Sequence, residues 1–254
     1  MIRLIINGVN GHMGTVLEEM IKNDPDCETV CGIDPFGEKP HDFPVFRSID
    51  ECSEEADCVI DFSTAAGVPA LLSGCVAKGF PVVLCTTGLS DEALEGVKKA
   101  AESIPILRSG NMSLGINTIA DLLKKAAKVF CPAGFDVEIV ETHHDRKLDA
   151  PSGTAYLLAD AVKEGSNEDF EYIYGRSERR EKRGKKELGI SSVRGGNVVG
   201  IHDVMFLGED EIITIRHQAT SRNVFAHGAV EAAKFLSKQK SGLYDMADVI
   251  ASKD

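Results

Sequence analysis

The sequence predicts an α/β protein in two parts: a doubly wound parallel sheet, and a second α+β unit whose sheet is mixed and largely antiparallel. In the first part, short apolar strands alternate with helical patterns between residues 4 and 108. In the second part, strands cluster between residues 190 and 217 and are separated by glycines. A chain of 254 residues is long enough to bury a core in each part.

The first part contains five predicted strands and three predicted helices. The strands are Leu4 to Asn7, Thr29 to Ile33, Cys58 to Ser63, Pro81 to Cys85 and Ile104 to Arg108. The helices are Thr15 to Lys22, Ala65 to Ala77 and Asp91 to Ser103, the last with Ser90 as its N-cap. Elements that alternate in this way predict a parallel sheet whose ligands bind beyond the carboxyl ends of the strands.

A turn with three glycines follows the first strand. Gly8, Gly11 and Gly14 have the spacing GxxGxxG, a variant of the GxGxxG turn in Rossmann-type dinucleotide-binding units. Glycines permit a tight turn and close approach of a pyrophosphate, which the start of the next helix then faces. We therefore predict a dinucleotide site at this turn. Its other predicted contacts are Val9, Asn10, His12 and Met13.

Two further groups of residues lie where ligand contacts are expected. Asp34 ends the second strand about twenty residues after Gly14, where a carboxylate accepts hydrogen bonds from the adenosine ribose. An aspartate before Pro35 also fits an ordinary turn. Cys85, Thr86 and Thr87 follow a later strand and are expected at the same edge of the sheet, although Thr87 also fits a plain turn.

The stretch from Glu138 to Ala155, which reads EIVETHHDRKLDAPSGTA, carries the strongest chemical signal. The residues up to Thr142 alternate acidic and branched apolar side chains from Asp136 onward, which predicts a strand. Two imidazoles and an ammonium follow, from His143, His144 and Lys147. A helix is predicted next, opened by Pro151 in its first turn and ending near Gly165.

The small residues Ser152, Gly153 and Thr154 leave the backbone N–H groups of that helix start uncovered, and such groups bind anions. A histidine pair is often structural, a single lysine is often solvated, and Pro-Ser-Gly is often a plain helix entry. Adjacent strand residues also point to opposite faces, which argues against one metal bound by both His143 and His144. The joint occurrence favours chemistry on a small anionic substrate.

Periodicity and charge predict the remaining elements of the second half of the chain. An amphipathic helix from Ile116 to Phe130 fits core packing, and strands are predicted within 190–206 and 211–217. The charge run from Arg176 to Glu187 predicts a solvated loop, with a basic arm near a dicarboxylate pocket or a subunit contact as the alternative. A last helix is predicted from Phe225 to Leu236.

The stretch EIVETHHDRKLDAPSGTA resembles the signature of the 4-hydroxy-tetrahydrodipicolinate reductase (dihydrodipicolinate reductase) family, and similar segments flank it in order. The resemblance implies a nucleotide domain of residues 1–113 and 223–254 and a substrate and oligomer domain of residues 114–222. It also implies a homotetramer formed through the mixed sheets. The substrate would be a small cyclic dicarboxylate, reduced by a nicotinamide cofactor.

The same resemblance implies the roles of individual residues. His143 and Lys147 would form the acid pair, and His144 would bind substrate. Gly153 and Thr154, with Ser152 beside them, would hold one carboxylate. The segment Ser109, Gly110, Asn111 and Met112 would lie beside the nicotinamide, although Asn111 also fits an ordinary turn.

Nucleotide preference is the point where the chain departs from the family pattern. In the family, an Arg that receives the extra phosphate of NADP often follows the acidic residue, whereas this chain has Pro35 after Asp34. We therefore expect NADH to be preferred, and NADPH to be admitted through Lys39 or another nearby cation.

Composition excludes several classes of function. The net charge of −12 argues against nucleic acid or an anionic membrane as a partner. The seven cysteines form no CxxC pair, which favours free thiols over a metal site. The first residues look like a strand with no leader, and no segment approaches the ~20 apolar residues of a membrane span, so we expect a cytoplasmic protein.

Two alternative functions stay open. A different two-domain nicotinamide dehydrogenase, for example one acting on aspartate, would share the nucleotide fold without requiring the HHDRK and PSG segments together. A nucleotide-sensing protein without catalysis would have no reason to retain His143, His144, Lys147 and Thr154.

Overall fold

The structure is a computed structural model that describes residues 1–37 and 39–253. It divides into two compact units. The first contains Met1–Ser113 together with the segment from Asn223 to the C-terminus, and the second contains Leu114–Arg222. The chain therefore leaves the first unit after Ser113 and returns to it at Asn223.

The described residues form twelve strands and seven α-helices. The strands are β1 (Ile2–Asn7), β2 (Cys27–Ile33), β3 (Val45–Phe46), β4 (Cys58–Asp61), β5 (Val82–Leu84), β6 (Pro105–Arg108), β7 (Asp136–His143), β8 (Glu171–Ile173), β9 (Glu187–Arg194), β10 (Gly200–Leu207), β11 (Ile212–Ala219) and β12 (Gly242–Tyr244). The helices are α1 (His12–Lys22), α2 (Val68–Lys78), α3 (Asp91–Ala101), α4 (Leu114–Phe130), α5 (Gly153–Ser166), α6 (Asn223–Leu236) and α7 (Met246–Ala251).

The first unit is a seven-stranded sheet in the order β12-β6-β5-β4-β1-β2-β3, and every pairing in it is parallel. The central strands are buried on both faces, as expected for a parallel sheet covered by helices. Its core includes Ile5, Val59 and Leu84 from the strands and Leu72 from α2. The predicted doubly wound parallel sheet is confirmed.

Several predicted boundaries in this unit need correction. Helix α1 begins at His12 instead of Thr15, because Gly14 is buried inside the first turn and Gly11 is the N-cap. The predicted helix from Ala65 is a 3₁₀ turn over Ala65–Gly67 that leads into α2. The short strands β3 and β12 were not predicted, because two or three residues carry too little periodicity. Ser90 is the N-cap of α3, as predicted.

The second unit is a five-stranded mixed sheet in the order β11-β10-β7-β9-β8. β10 pairs antiparallel with β11 and β7, whereas β9 pairs parallel with β7 and β8. Helices α4 and α5 cover one face, where Leu123 and Leu158 pack on Val137, Ile139 and Phe206. This confirms the second part of the fold prediction.

One expectation about this unit is wrong, and another is incomplete. Pro151 lies before the helix and not in its first turn, because Ser152 is the N-cap of α5. The charge run beginning at Arg176 forms a loop whose residues 177–182 are exposed, as predicted, but several of its arginines also pair with the sheet. Arg176 and Arg183 both pair with Glu138 on β7, and Arg176 also pairs with Glu187 at the start of β9. These arginines are thus satisfied by carboxylates of the sheet and do not form a free basic arm.

Two sequence-wide features can also be read from the structure. Among the described residues, none of the helices has both the length and the apolar character needed to cross a bilayer. All seven cysteines are free thiols. The Sγ atoms of Cys31 and Cys52 lie 3.3 Å apart in the core of the first unit.

Candidate active site

The turn between β1 and α1 requires glycine at two positions. Gly8 has φ +86°, and a Cβ on it would lie 2.7 Å from the carbonyl oxygen of Phe62. A Cβ on Gly14 would lie 2.3 Å from the carbonyl oxygen of Gly8. The N-cap of α1 is Gly11, which has no side chain to cover the first-turn N–H groups. This turn fits a bound pyrophosphate, as its sequence predicts.

The other residues of the turn differ in what they offer. The side chain of Val9 is fully buried, so only its backbone can face a ligand. His12 is exposed, and Met13 is half-buried. The backbone N–H of Asn10 donates to Asp34 at 3.0 Å, and its side-chain amide donates to the carbonyl of Phe36 at 2.9 Å. Asn10 therefore ties the glycine turn to the segment after β2.

Asp34 stands at the carboxyl end of β2, as predicted. One of its oxygens accepts from the N–H of Asn10, and the other accepts from the N–H of Phe36 at 2.9 Å. A carboxylate oxygen has two lone pairs, so each oxygen can accept another donor. Asp34 lines two adjoining clefts of about 380 and 540 Å³.

Sequence reasoning named Lys39 but overlooked Phe36, His41 and Arg47 around these clefts. Arg47 lines both clefts, and the exposed ring of Phe36 lines the first. Lys39 donates from Nζ to the carbonyl oxygen of Asn10 at 2.6 Å. His41 lies 3.1 Å from Oδ1 of Asn10 and 2.9 Å from Glu18. They lie in an irregular segment, where periodicity gives no signal.

A buried carboxylate joins three neighbouring strand ends in the first unit. Asp61, at the end of β4, accepts from Asn7 Nδ2 at 2.7 Å and from the hydroxyl of Thr86 at 2.6 Å. Thr86 is itself buried, whereas Thr87 is exposed. Burial raises the pKa of the Cys85 thiol well above its usual value. Thr86 thus shapes the edge of the sheet through Asp61, and Thr87 faces outward from it.

The segment after β6 contains the predicted nicotinamide contacts. Asn111 accepts through Oδ1 from the N–H of Ser113 at 2.8 Å, which closes a tight turn. Met112 is 5% exposed and packs in the first unit, whereas Gly110 is exposed and Ser109 is half-buried. Ser109, Gly110 and Asn111 are therefore the accessible part of this segment.

The end of β7 holds a buried pair of titratable groups. Alternate residues of β7 are buried, so Glu141 and His143 lie on the same face as the core residues Val137 and Ile139. The Glu141 side chain has no exposed surface. Its Oε2 lies 2.5 Å from Nδ1 of His143. This contact leaves Nε2 of His143 as the nitrogen that can exchange a proton with a ligand.

Arg194, the β9 partner of His143 in the sheet register, completes this arrangement. Its Nη1 donates to Oε2 of Glu141 at 2.8 Å, and its Nη2 donates to Oε1 at 2.7 Å. The same Nη2 donates to the carbonyl oxygen of Asp149 at 2.7 Å. A bidentate guanidinium therefore holds both the carboxylate and the loop that carries Lys147.

The electrostatics of this cluster follow from its contacts. Burial alone would raise the pKa of Glu141, but hydrogen bonds from Arg194, Ser192 and His143 outweigh it and lower the pKa to about 2. Burial lowers the pKa of His143 below its usual value, although the hydrogen bond and charge of Glu141 oppose this. Lys147 lies close enough to lower it further. The approach of an anionic substrate would reverse part of this effect.

Lys147 and His144 lie in the loop that follows β7. Nζ of Lys147 pairs with Oδ1 of Asp149 at 2.8 Å, and the lysine side chain is 21% exposed. The backbone N–H of His144 donates to Val198 at 2.8 Å. Nδ1 of His144 is buried and makes no hydrogen bond with the described residues. Such a nitrogen is suited to a ligand that supplies the missing partner.

The start of α5 lies beside the same cluster. The N–H of Ser152 donates to Oε1 of Glu141 at 3.2 Å, and its Oγ accepts from the N–H of Ala155 at 3.1 Å. The same Oγ lies 3.1 Å from Nε2 of His202, a buried histidine whose ring packs edge-on against His143. Burial lowers the pKa of His202 to about 4, so this ring is neutral near pH 7. Sequence reasoning did not find His202.

Ser152 therefore secures the start of the helix, and the residue after it leaves that start open. A Cβ on Gly153 would meet open space, so the backbone of the first turn is accessible there. Thr154 follows it in the same turn. The structure brings Gly153, His143 and the loop of Lys147 together around Glu141, whereas the predicted nucleotide contacts lie in the first unit.

Gly153 offers a direct test of the helix start. We expect Gly153→Ala to raise KM for an anionic substrate about tenfold, because the methyl group obstructs the exposed N–H groups of the first turn. The melting temperature should not fall, since the methyl meets open space and alanine favours a helix. Steady-state kinetics and thermal melts measure both, with Gly96→Ala in α3 as a control that also meets open space.

The parallel sheet with its glycine turn, and the mixed sheet with its cluster of imidazole, ammonium and helix start, define a two-domain nicotinamide-dependent reductase. The family model for the N-terminus of dihydrodipicolinate reductase matches residues 2–112, and the model for its C-terminus matches residues 115–250. The chain belongs to the dihydrodipicolinate reductase family.

Individual relatives agree with this assignment. The chain is 52% identical to the 4-hydroxy-tetrahydrodipicolinate reductase of Caldanaerobacter subterraneus subsp. tengcongensis, with 98% of each chain covered. It is 47% identical to that of Clostridium tetani, with 97% of this chain and 96% of the relative covered.

Solved structures show the same fold. A dipicolinate-bound dihydrodipicolinate reductase from Paenisporosarcina sp. TG-14 superposes with a TM-score of 0.80 at 26% identity, over 96% of this chain and 97% of that chain. A probable dehydrogenase from Thermotoga maritima superposes with a TM-score of 0.61 at 14% identity, over 98% and 93% of the two chains, which is a likeness of fold alone.

Proposed function

We propose that this chain reduces 4-hydroxy-tetrahydrodipicolinate to tetrahydrodipicolinate with NADH or NADPH, in the diaminopimelate route to lysine. The observation that carries the proposal is the Glu141-held imidazole of His143, next to the Lys147 loop and the open start of α5. These groups occur in a chain that matches the family models for both the N-terminus and the C-terminus of dihydrodipicolinate reductase. The alternative dehydrogenase and the sensor do not require it.

The reaction needs a proton donor and binding sites for carboxylates. The hydroxylated ring loses water to give a conjugated imine, which gains a hydride and a proton to form the product. The reduced nicotinamide supplies the hydride when bound. We assign proton delivery to His143 and Lys147, because an imidazole titrates near neutral pH and an ammonium stabilises negative charge that develops on the ring.

Carboxylate binding is assigned to the other residues of the cluster. The N–H groups of Gly153 and Thr154 would hold one carboxylate at the positive end of α5. His144 would donate to the substrate from Nδ1, the buried nitrogen that has no partner among the described residues. Ser152, whose polar groups already contact Glu141, Ala155 and His202, would hold the helix start in place.

For the nucleotide, we propose that the first unit binds the pyrophosphate at the glycine turn and the adenosine ribose at Asp34. Both NADH and NADPH are proposed cofactors, and NADH is proposed to be preferred. The carboxylate of Asp34 accepts from ribose hydroxyls and repels a 2′-phosphate, whereas Lys39 and Arg47 at the same cleft attract one.

A homotetramer built through the mixed sheet is also proposed. Helices cover the face of the sheet that bears Val137 and Phe206. The opposite face carries Val140, Ile201 and Met205, which are only partly buried within one chain. A second copy would cover this apolar surface. Light scattering on the purified protein should give a mass of four times 27.4 kDa.

The activity is tested by a coupled assay. The protein is mixed with a condensing enzyme, pyruvate and aspartate semialdehyde, and the loss of reduced nicotinamide absorbance is followed with NADH and NADPH separately. We expect oxidation that requires both the condensation product and this protein, with a higher kcat/KM for NADH. Asp34→Asn should bring kcat/KM for NADPH closer to that for NADH, because it removes the negative charge that repels the 2′-phosphate.

No oxidation by folded protein that still binds NADH would contradict the proposed function and favour the other dehydrogenase or the sensor. Equal or greater kcat/KM with NADPH would contradict the proposed preference alone.

A further inference from the structure

We propose that Glu141 and Arg194 form a positioning pair that fixes both proton-handling groups of the site: His143 through its Nδ1, and Lys147 through the backbone of its loop. This inference rests on the proposed function, since it concerns the groups assigned to proton delivery. Neither residue is proposed to contact the substrate.

Both oxygens of the Glu141 carboxylate are satisfied by neighbouring donors. Its two oxygens lie between 2.5 and 3.2 Å from Nη1 and Nη2 of Arg194, the N–H of Ser152 and Nδ1 of His143, and they accept a further hydrogen bond from Ser192. A buried carboxylate is costly to retain in a protein core unless its partners satisfy it. Its position on the buried face of β7 therefore points to a task that an apolar residue could not perform.

That task is to fix the state of the His143 ring. A carboxylate accepts hydrogen bonds and cannot donate, so Nδ1 of His143 must carry a hydrogen. The neutral ring is then held as the Nδ1–H tautomer with Nε2 available for proton transfer. Gly200 lies next to that nitrogen, and a Cβ on it would lie 3.1 Å from Nε2. The site thus leaves room at the nitrogen that exchanges the proton.

Arg194 extends the arrangement to the second proton-handling group. Its Nη2 bonds both to Oε1 of Glu141 and to the carbonyl oxygen of Asp149, two residues after Lys147. The side chain of Asp149 pairs with the Lys147 ammonium. The Arg194 guanidinium therefore connects the Glu141 carboxylate, which holds His143, to the loop that carries Lys147. A lysine at position 194 would lack the planar fork that makes these bonds together.

The charged and titratable groups that face His143 determine the sign of the expected pH effect. They are Glu141 on β7, Lys147 in the loop, Arg194 on β9 and His202 on β10. Glu141 alone raises the pKa of His143, whereas Lys147 and Arg194 lower it. An acid acts only below its pKa, so removal of the Glu141 charge should move the loss of activity at high pH towards lower pH.

The test compares Glu141→Gln, Arg194→Lys and Arg183→Lys across a pH series. We expect Glu141→Gln to lower kcat about a hundredfold and to shift the high-pH limb of kcat downwards, with KM for NADH unchanged. Arg194→Lys should lower kcat about tenfold. Arg183 pairs with Asp136 and Glu138 at the opposite end of β7, so Arg183→Lys should stay within about twofold of the wild type.

A spectroscopic measurement tests the same inference in the unmodified protein. Proton-detected ¹⁵N spectra of labelled histidine, with His143 assigned by the loss of its signals in His143→Asn, should show the Nδ1–H tautomer. Glu141→Gln should shift this population towards Nε2–H, because a glutamine side chain can donate as well as accept. This readout requires no turnover and stays informative if a variant folds poorly.

The outcomes separate the two proposals. An inactive wild type in the coupled assay contradicts the proposed function, whatever the variants do. An active wild type with an Nε2–H tautomer at His143, or a Glu141→Gln variant with unchanged kcat and pH profile, overturns the positioning pair alone.

Discussion

Replacing Lys147 with alanine is expected to lower kcat about a hundredfold to a thousandfold, the range seen when a positioned proton donor or charge stabiliser is removed. The ammonium is 21% exposed and is held by Asp149 at 2.8 Å, so its loss removes a charge from the site without opening the core. Because Lys147 lies in the second unit and the glycine turn lies in the first, the dissociation constant of NADH should not change.

Lys163 provides the matched control for this change. It lies on α5 and pairs with Asp169 at 2.7 Å, an ion pair of similar length between partly exposed side chains. Lys163→Ala should retain wild-type kcat, since surface ion pairs contribute about 0–1 kcal/mol to stability and this one lies outside the cluster. Unchanged turnover in Lys147→Ala would remove Lys147 from the proposed acid pair.

The second large effect is expected at Gly14. A methyl group there would lie 2.3 Å from the carbonyl oxygen of Gly8 and 2.4 Å from that of Val9, and both are backbone atoms of the glycine turn. We expect Gly14→Ala to reduce the free energy of unfolding of the first unit by about 2 kcal/mol, because overpacking outweighs the helix propensity of alanine. NADH affinity should fall about tenfold or more as the turn is displaced.

Chemical denaturation and NADH titration measure these two changes. Gly96→Ala is the control: this glycine lies in α3 of the same unit, and its added Cβ meets open space. It should stabilise the protein by about 0.5–1 kcal/mol and leave NADH affinity unchanged. A Gly14→Ala variant as stable as Gly96→Ala would show that the turn can move to accommodate a side chain.

The sequence was sufficient for the fold class because its signals are local. Strand-helix alternation predicted the parallel sheet, and the end of β7 was located within one residue, at His143 instead of Thr142. The glycine spacing located the turn between β1 and α1, but it did not show that Gly14 lies inside α1. The shortest strands, β3 and β8, were missed because two or three residues show no periodicity. They are strands only because they pair with neighbouring strands.

Only part of the candidate site could be predicted from the sequence, because some of its residues are far apart in the chain. His143, Lys147 and Gly153 are close in sequence, so one stretch shows them together. Arg194 reaches the same cluster from more than forty residues away, through the pairing of β9 with β7. Glu141 did carry a signal, because the strand period places it on the face of Ile139 and His143. An acidic residue on a predicted core face marks a buried ion pair.

The position of the second unit within the chain has a consequence for synthesis. Residues 114–222 interrupt the first unit, whose helix α6 packs on β4, β5 and β6 and whose strand β12 pairs with β6. A ribosome therefore releases every strand of the second unit before it releases α6 and β12. The later unit can reach its final structure first, while the seven-stranded sheet stays incomplete until β12 emerges. A chain cut short after Arg222 would retain the glycine turn but lack the helix that covers one face of its sheet.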